Sequence, residues 1–361
     1  MSVWTNWDPL EEVIVGDCPI KSSESWNLEP RARELFDEIL FETKEDLDNL
    51  ANKLISLGVK VFRPAITNFD QVINQGDFII RNPTFPIVPR DQYLVYGDTV
   101  YQTYTSMPDR YLDSINYYDI FLHLFNDGHN WISQPPPVLQ NFNDNKKWFI
   151  EGQQIYHEQY KNSVLWHTAT MFKCGDALIT NNLGPGSKLG LEWMRRNTNA
   201  TIINNDNTVV DNWGHIDHGF YMSDDDTVFC LNKRWVPEVL RNKNVIELDS
   251  LTPQPAFNYH LFMEEWKTSK GKLTVEWLEG WISEWKGYSQ EIAFESNNLI
   301  VDSKNIIFSI DQPKVFDLMT SMGITPHVCK MRHGLFWEAG VHCLTLDIKR
   351  KGFNRTVISA S

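Results

Sequence analysis

The chain has 361 residues, of which 42% are hydrophobic and 22% charged, so it can bury a substantial core and does not have the make-up of a disordered chain. Its net charge of −14, without any basic stripe, argues against a nucleic-acid partner, since polyanion binding needs clustered Lys and Arg. No apolar run approaches the ~20 residues of a membrane span, and no basic and apolar leader opens the chain, so a cytoplasmic protein is expected. The five cysteines are scattered and form no CxxC, which suits a reducing compartment and offers neither a disulfide framework nor a zinc site. The 14 tryptophans are read as core filling.

Taken in chain order, the elements repeat. Residues 12–15 read as a strand whose hairpin partner would be the C-terminal run 343–348. The apolar spacing predicts a long amphipathic helix over 31–57, stopped by Gly58 and followed by a strand over 59–63. A hairpin over 93–101 turns at Gly97-Asp98 and leads into a helix over 111–125. A second hairpin over 169–179 turns at Gly175-Asp176, before a helix over 189–196 and a strand over 200–204. A third, over 220–230, turns at Asp224-Asp225-Asp226, before a short helix over 236–240 and a strand over 245–248. The last, over 299–308, precedes a helix over 315–322, capped by Gly323, and a strand over 325–328. About five ββαβ units thus recur at spacings of roughly 50 to 85 residues. Such units bury their faces against one another, so we expect one closed radial α/β array over 1–361, a five-bladed propeller with pseudo-fivefold symmetry.

In such an array equivalent positions converge on the axis. The residue just before each hairpin is Asp91, His167, Asp217, Asn297 or Cys343. Polar side chains gathered in an apolar barrel are costly unless they bind something. Asp91 and Asp217 facing a cation, with the Cys343 thiol beneath, would suit a guanidinium held bidentately by carboxylates. A thiol nucleophile also needs an imidazole, and His215 opens the run that carries Asp217.

The stretch Trp7-Asp8-Pro9-Leu10-Glu11-Glu12-Val13-Ile14-Val15-Gly16 resembles the N-terminal signature of the glycine amidinotransferase family. So do Leu189-Gly190-Leu191-Glu192-Trp193-Met194-Arg195-Arg196, His215-Ile216-Asp217 and His342-Cys343, which together span almost the whole chain. The resemblance implies the pentein fold and transfer of the amidino group of arginine to an amine, without metal or cofactor. By matching position, Cys343 is implied as nucleophile and His215 as general acid and base. Asp91 and Asp217 would hold the guanidinium, Arg234 the donor's α-carboxylate, and Asn212 and Asn297 would line the pocket. Implied partners are arginine and an amine acceptor, glycine or another small amine, with a homodimer as the assembly.

Two departures stand out. His167 occupies the place of a family aspartate that serves the catalytic histidine or the substrate, and Glu338, five residues before the thiol, is a candidate compensating carboxylate. The family's pair of substrate serines is absent, their places falling near Gln290 and Glu291, which leaves the acceptor open. A guanidine hydrolase of the deiminase or dihydrolase type, and a non-catalytic binder of guanidino compounds, are the alternatives. His342, next to the nucleophile, is expected on the opposite face of its strand in a structural role, and Cys174 and Cys230 are expected as core thiols.

Overall fold

The computed structural model describes residues 1–22, 30–67, 73–75, 78–80, 85–104, 110, 112–136, 164, 166–181, 188–205, 215–248, 251, 296–337 and 339–358. Its elements are β1 (Leu10–Val15), α1 (Pro30–Ser56), β2 (Lys60–Phe62), β3 (Ile73–Gln75), β4 (Phe78–Ile80), β5 (Tyr93–Tyr96), β6 (Thr99–Gln102), α2 (Asp113–Asn126) and β7 (Asn130–Ser133). They continue with β8 (Met171–Cys174), β9 (Ala177–Thr180), α3 (Lys188–Asn197), β10 (Thr201–Asn204), β11 (Phe220–Met222), β12 (Thr227–Cys230) and β13 (Asn244–Glu247). The chain ends through β14 (Leu299–Asp302), β15 (Asn305–Phe308), α4 (Pro313–Ser321), β16 (Thr325–Val328), α5 (Gly334–Trp337) and β17 (Thr345–Arg350).

Among the described residues, five sheets have three strands, in the orders β17-β1-β2, β5-β6-β7, β8-β9-β10, β11-β12-β13 and β14-β15-β16. In each, the first two strands named pair antiparallel and the third runs parallel to its neighbour. This is the expected five-bladed α/β propeller, closed by the last strand pairing with the first, Val13 opposite Asp347. The hairpins fall where the turn residues place them. Gly97 and Gly175 take φ of 60° and 67°, the left-handed backbone a tight turn needs. The expected helix over 236–240 is only a short 3₁₀ turn, Glu238–Leu240, because Pro237 forces Val236 into extended backbone at ψ 125°. The short hairpin β3–β4 and α5 have no counterpart in the sequence reading.

Burial explains the layering. β5, β6, β8, β9 and β12 are buried at every position, whereas the outer strands β7, β10, β13 and β16 are exposed at both ends. The hydrophobic core accordingly lies in wedges between blades. Phe36, Leu40, Leu47 and Leu54 of α1 pack in one cluster with Val13, Leu299 and Ile307. Tyr117, Phe121 and Leu124 of α2 pack with Ile14, Tyr93 and Leu346.

The inner strands start near the axis, just after short turns. 3₁₀ turns at Pro89–Asp91, Thr168–Thr170 and Ile216–His218 precede β5, β8 and β11, and a turn over 341–344 precedes β17. These turns are stitched to one another. Thr168 Oγ1 donates to the Arg90 carbonyl, Ser296 Oγ to the His218 carbonyl, and Arg90 Nε to the His342 carbonyl at 2.7 Å. The ring of turns is where the candidate residues meet.

Candidate active site

Cys343 lies in the turn before β17, 1% exposed. Asn297, fully buried before β14, fixes that turn from both of its amide ends. Its Oδ1 accepts from the backbone N–H groups of His342 at 3.1 Å and Cys343 at 3.2 Å. Its Nδ2 donates to Cys343 Sγ at 3.0 Å and to Asp217 Oδ2 at 3.1 Å. Gly340 is obligatory beneath it, because a Cβ there would sit 2.5 Å from Asn297 Oδ1.

Asp217 Oδ2 also accepts from His342 Nδ1 at 2.6 Å and faces the Cys343 thiol at 3.7 Å. His342 therefore points toward Asp217, and the expectation that it faces the opposite side of its strand is corrected. Strand alternation does not govern it, because residues 341–344 form a turn and β17 begins only at Thr345. Burial, reinforced by Arg90, pushes the His342 imidazole down to about 4, so it is neutral and donates from Nδ1. Burial works to raise the Asp217 carboxyl, but the His342 hydrogen bond and nearby imidazoles outweigh it and hold the group far below the carboxylate range. Its second oxygen, Oδ1, is buried, has no hydrogen-bond partner among the described residues and lies 3.8 Å from His218 Nε2.

Across the ring, His215 stacks on His167 with centroids 4.9 Å apart and planes at 12°, and meets His218 edge-on at 5.3 Å. Asp91 is 9% exposed and hydrogen-bonded to the guanidinium of buried Arg110. Arg110 is itself held by Asp113 at 3.0 Å and by the Val88 carbonyl at 3.1 Å. Burial opposes ionisation of Asp91, but Arg110, then His167 and His215, hold its pKa below the usual value. Neighbouring turns of the ring thus offer a thiol with a hydrogen-bond donor on sulfur, two ionised carboxylates and, besides His342, three imidazoles.

The structure thus brings together Cys343, Asp217 and Asn297, and gathers Asp91, His167 and His215 beside them. Arg234 stands apart. It is exposed, in the 3₁₀ turn that follows β12, with its guanidinium 5.6 Å from the Trp235 ring. Since Cys230 pairs with Phe220, β12 ends where β11 begins, so Arg234 leaves from the site end of its blade. Asn212 and Glu338, and the places at Gln290 and Glu291, lie outside the described residues. Sequence reasoning missed His218, His342 and Arg110 as site residues. Two of these are chain neighbours of residues it had chosen, a signal that was available; Arg110 sits 19 residues from Asp91 with no spacing rule to connect them. Cys174 and Cys230 are buried strand thiols whose pKa values burial raises to about 12, as expected of core cysteines. Asp217, His218 and Cys343 also present ligand atoms within 4.8 Å of one another, a spacing compatible with a metal ion.

No family model matches the chain. It is, however, 24% identical to inosamine-phosphate amidinotransferase 1 of Streptomyces glaucescens, over 98% of this chain and 97% of that one. It is 22% identical to the mitochondrial glycine amidinotransferase of Danio rerio, over 96% of this chain and 82% of the other. Among solved structures, the inosamine-phosphate amidinotransferase StrB1 of Streptomyces griseus superposes with a TM-score of 0.74 at 23% identity, covering 99% of each chain. Along nearly its whole length the chain is similar in sequence to these amidinotransferases, and it shares the fold of StrB1.

Proposed function

We propose that the chain transfers the amidino group of L-arginine to an amine through a covalent intermediate on Cys343. The observation that carries this reading is the shared atom Asp217 Oδ2, which joins the thiol, Asn297 and His342 in one buried cluster while Oδ1 of the same carboxylate lacks a hydrogen-bond donor among the described residues. A buried, ionised oxygen without a donor is costly, and a guanidinium N–H supplies the missing donor. Asp91, kept ionised and fixed by Arg110, offers a second carboxylate to the same cation.

In the first half-reaction the Cys343 sulfur attacks the guanidino carbon, forming the S–C bond. The C–N bond to the departing amine breaks, and His215 gives that nitrogen its proton, releasing ornithine. Asp91 and Asp217 stabilise the positive charge on the amidino group throughout. In the second half-reaction the incoming amine attacks the same carbon, loses a proton to His215, and the S–C bond breaks to return the thiolate. His167, where a family aspartate is expected, supports His215 by a stacked ring rather than by a carboxylate. Arg234, at the site end of its blade, would hold the donor's α-carboxylate. The relatives bear names with different acceptors, an inosamine phosphate and glycine, so a small amine is proposed here without singling one out.

The test is ornithine release from L-arginine with a panel of amines, glycine and amino-cyclitols among them. Amine-dependent ornithine release, lost in Cys343→Ala, supports transfer. Citrulline and ammonia formed without any amine would replace this reading with hydrolysis.

A further inference from the structure

Beneath the nucleophile's turn lies a cluster of charges that the transfer chemistry above leaves unused. Asp347 of β17 is completely buried and accepts from three cations: Arg90 Nη2 at 3.1 Å, Lys173 Nζ at 3.0 Å and Arg350 Nε at 3.1 Å. Lys173 and Arg350 are each 1% exposed and Arg90 6%. Three buried cations surround one carboxylate. Arg350 spends another N–H on the Asp8 carbonyl at 2.5 Å, and its Nη2 has no hydrogen-bond partner among the described residues. The side chain of Asp8 cannot balance the excess, being paired with Arg355 through both oxygens. An uncompensated buried cation weighs heavily against folding, and such a cost is retained where it does something.

The cluster is joined to the nucleophile through one atom. Arg90 Nε donates at 2.7 Å to the carbonyl of His342, the residue bonded to Cys343. On its other side the thiol faces Asp217 at 3.7 Å, with Asp91 across the ring. Two carboxylates suit a guanidinium but favour a protonated thiol. Of the imidazoles around it, His342 is neutral, and His218 and His215 follow in edge contact. A positive layer under the turn offsets the carboxylates, and the Asn297 N–H on sulfur acts in the same sense.

We propose that Arg90, Lys173 and Arg350, gathered on Asp347, form a cationic underlayer that holds Cys343 as thiolate, with Lys173 and Arg350 as positioning residues acting through the field they set. The inference rests on Cys343 being the nucleophile. Lys173 itself responds to its surroundings: burial, with Arg90 and Arg350, pushes its ammonium down to about 8 against the pull of Asp347, so it keeps its charge at neutral pH.

The experiment is the rate of Cys343 alkylation by iodoacetamide across the range from mildly acidic to alkaline pH, read by mass spectrometry of the Cys343 peptide in the full chain. Wild type is expected to inflect below the ~8.5 of a free cysteine. Lys173→Met should move the inflection up by about one pH unit, so that about tenfold less thiolate is alkylated at neutral pH, and Lys173→Arg should restore it. A wild-type inflection at or above that of free cysteine overturns the proposal even if Lys173→Met fails to fold. So does a folded Lys173→Met whose inflection stays put. Alkylation needs neither arginine nor an acceptor, so its outcome is independent of whether the amidino group is transferred.

Discussion

Asn297 does the most with the fewest atoms. Four of its hydrogen bonds join the backbone of the nucleophile's turn, the sulfur and Asp217. Asn297→Ala is expected to lower turnover at least about 100-fold in a steady-state assay, the scale of losing an aligned donor at a reacting centre. His342 gives a stability signature. Its folded pKa of about 4 lies below the 6.5 of an unfolded histidine, so the folded state binds fewer protons between these values. Stability from this residue is present above about pH 6.5 and falls as pH drops toward 4, by about 3 kcal/mol in all. Chemical denaturation of His342→Gln should show that arm flattened. At this scale the sequence was partly legible. Converging residues could be listed, because each precedes a hairpin, but side-chain direction could not. His342 was read by strand alternation, which a turn does not obey, and the Arg110 clamp on Asp91 depends on where a loop brings a distant residue.

The turn over 341–344 and the 3₁₀ turns carry the candidate site, and their sequences are constrained by contact rather than by propensity. At Gly340 a Cβ would meet Asn297 Oδ1, Cβ and Cγ at 2.5, 2.8 and 2.9 Å. Gly340→Ala should therefore displace Asn297, lowering the thermal midpoint by an equivalent of about 1–3 kcal/mol and cutting turnover more than stability. Unchanged kinetics would mean that the turn relaxes without moving Asn297. The hairpins were legible because Gly97 and Gly175 mark left-handed turns between apolar runs, and α4 because Gly323, at φ 79°, ends it. The helix expected over 236–240 failed for a local reason, Pro237, that apolar spacing does not register.

Across the whole molecule, the ring is closed twice. β17 pairs with β1, and the C-terminal segment crosses to the third blade, where Asp176 N–H donates to the Arg355 carbonyl at 2.9 Å. The Arg355 guanidinium there grips both oxygens of Asp8 at 2.9 Å and reaches Asp225 at 2.5 and 2.9 Å. Each blade buries its faces on its neighbours, so we expect one cooperative unfolding event for the whole chain. Calorimetry should give a single transition, and Arg355→Ala should lower it by about 1–2 kcal/mol without splitting it. Two separate transitions would contradict a single closed unit. The repeat was legible because the same strand, turn and strand recur at similar intervals. The acceptor was not legible in the same way, because the places read for the family's substrate serines, Gln290 and Glu291, belong to no repeated position.

Whether Cys343 takes the amidino group from arginine can be read by intact-protein mass spectrometry after mixing the protein with L-arginine alone. The expected result is a mass gain of one amidino group with one ornithine released per adduct, located on Cys343 and absent in Cys343→Ala. An unmodified Cys343 in a folded protein that binds arginine would contradict it.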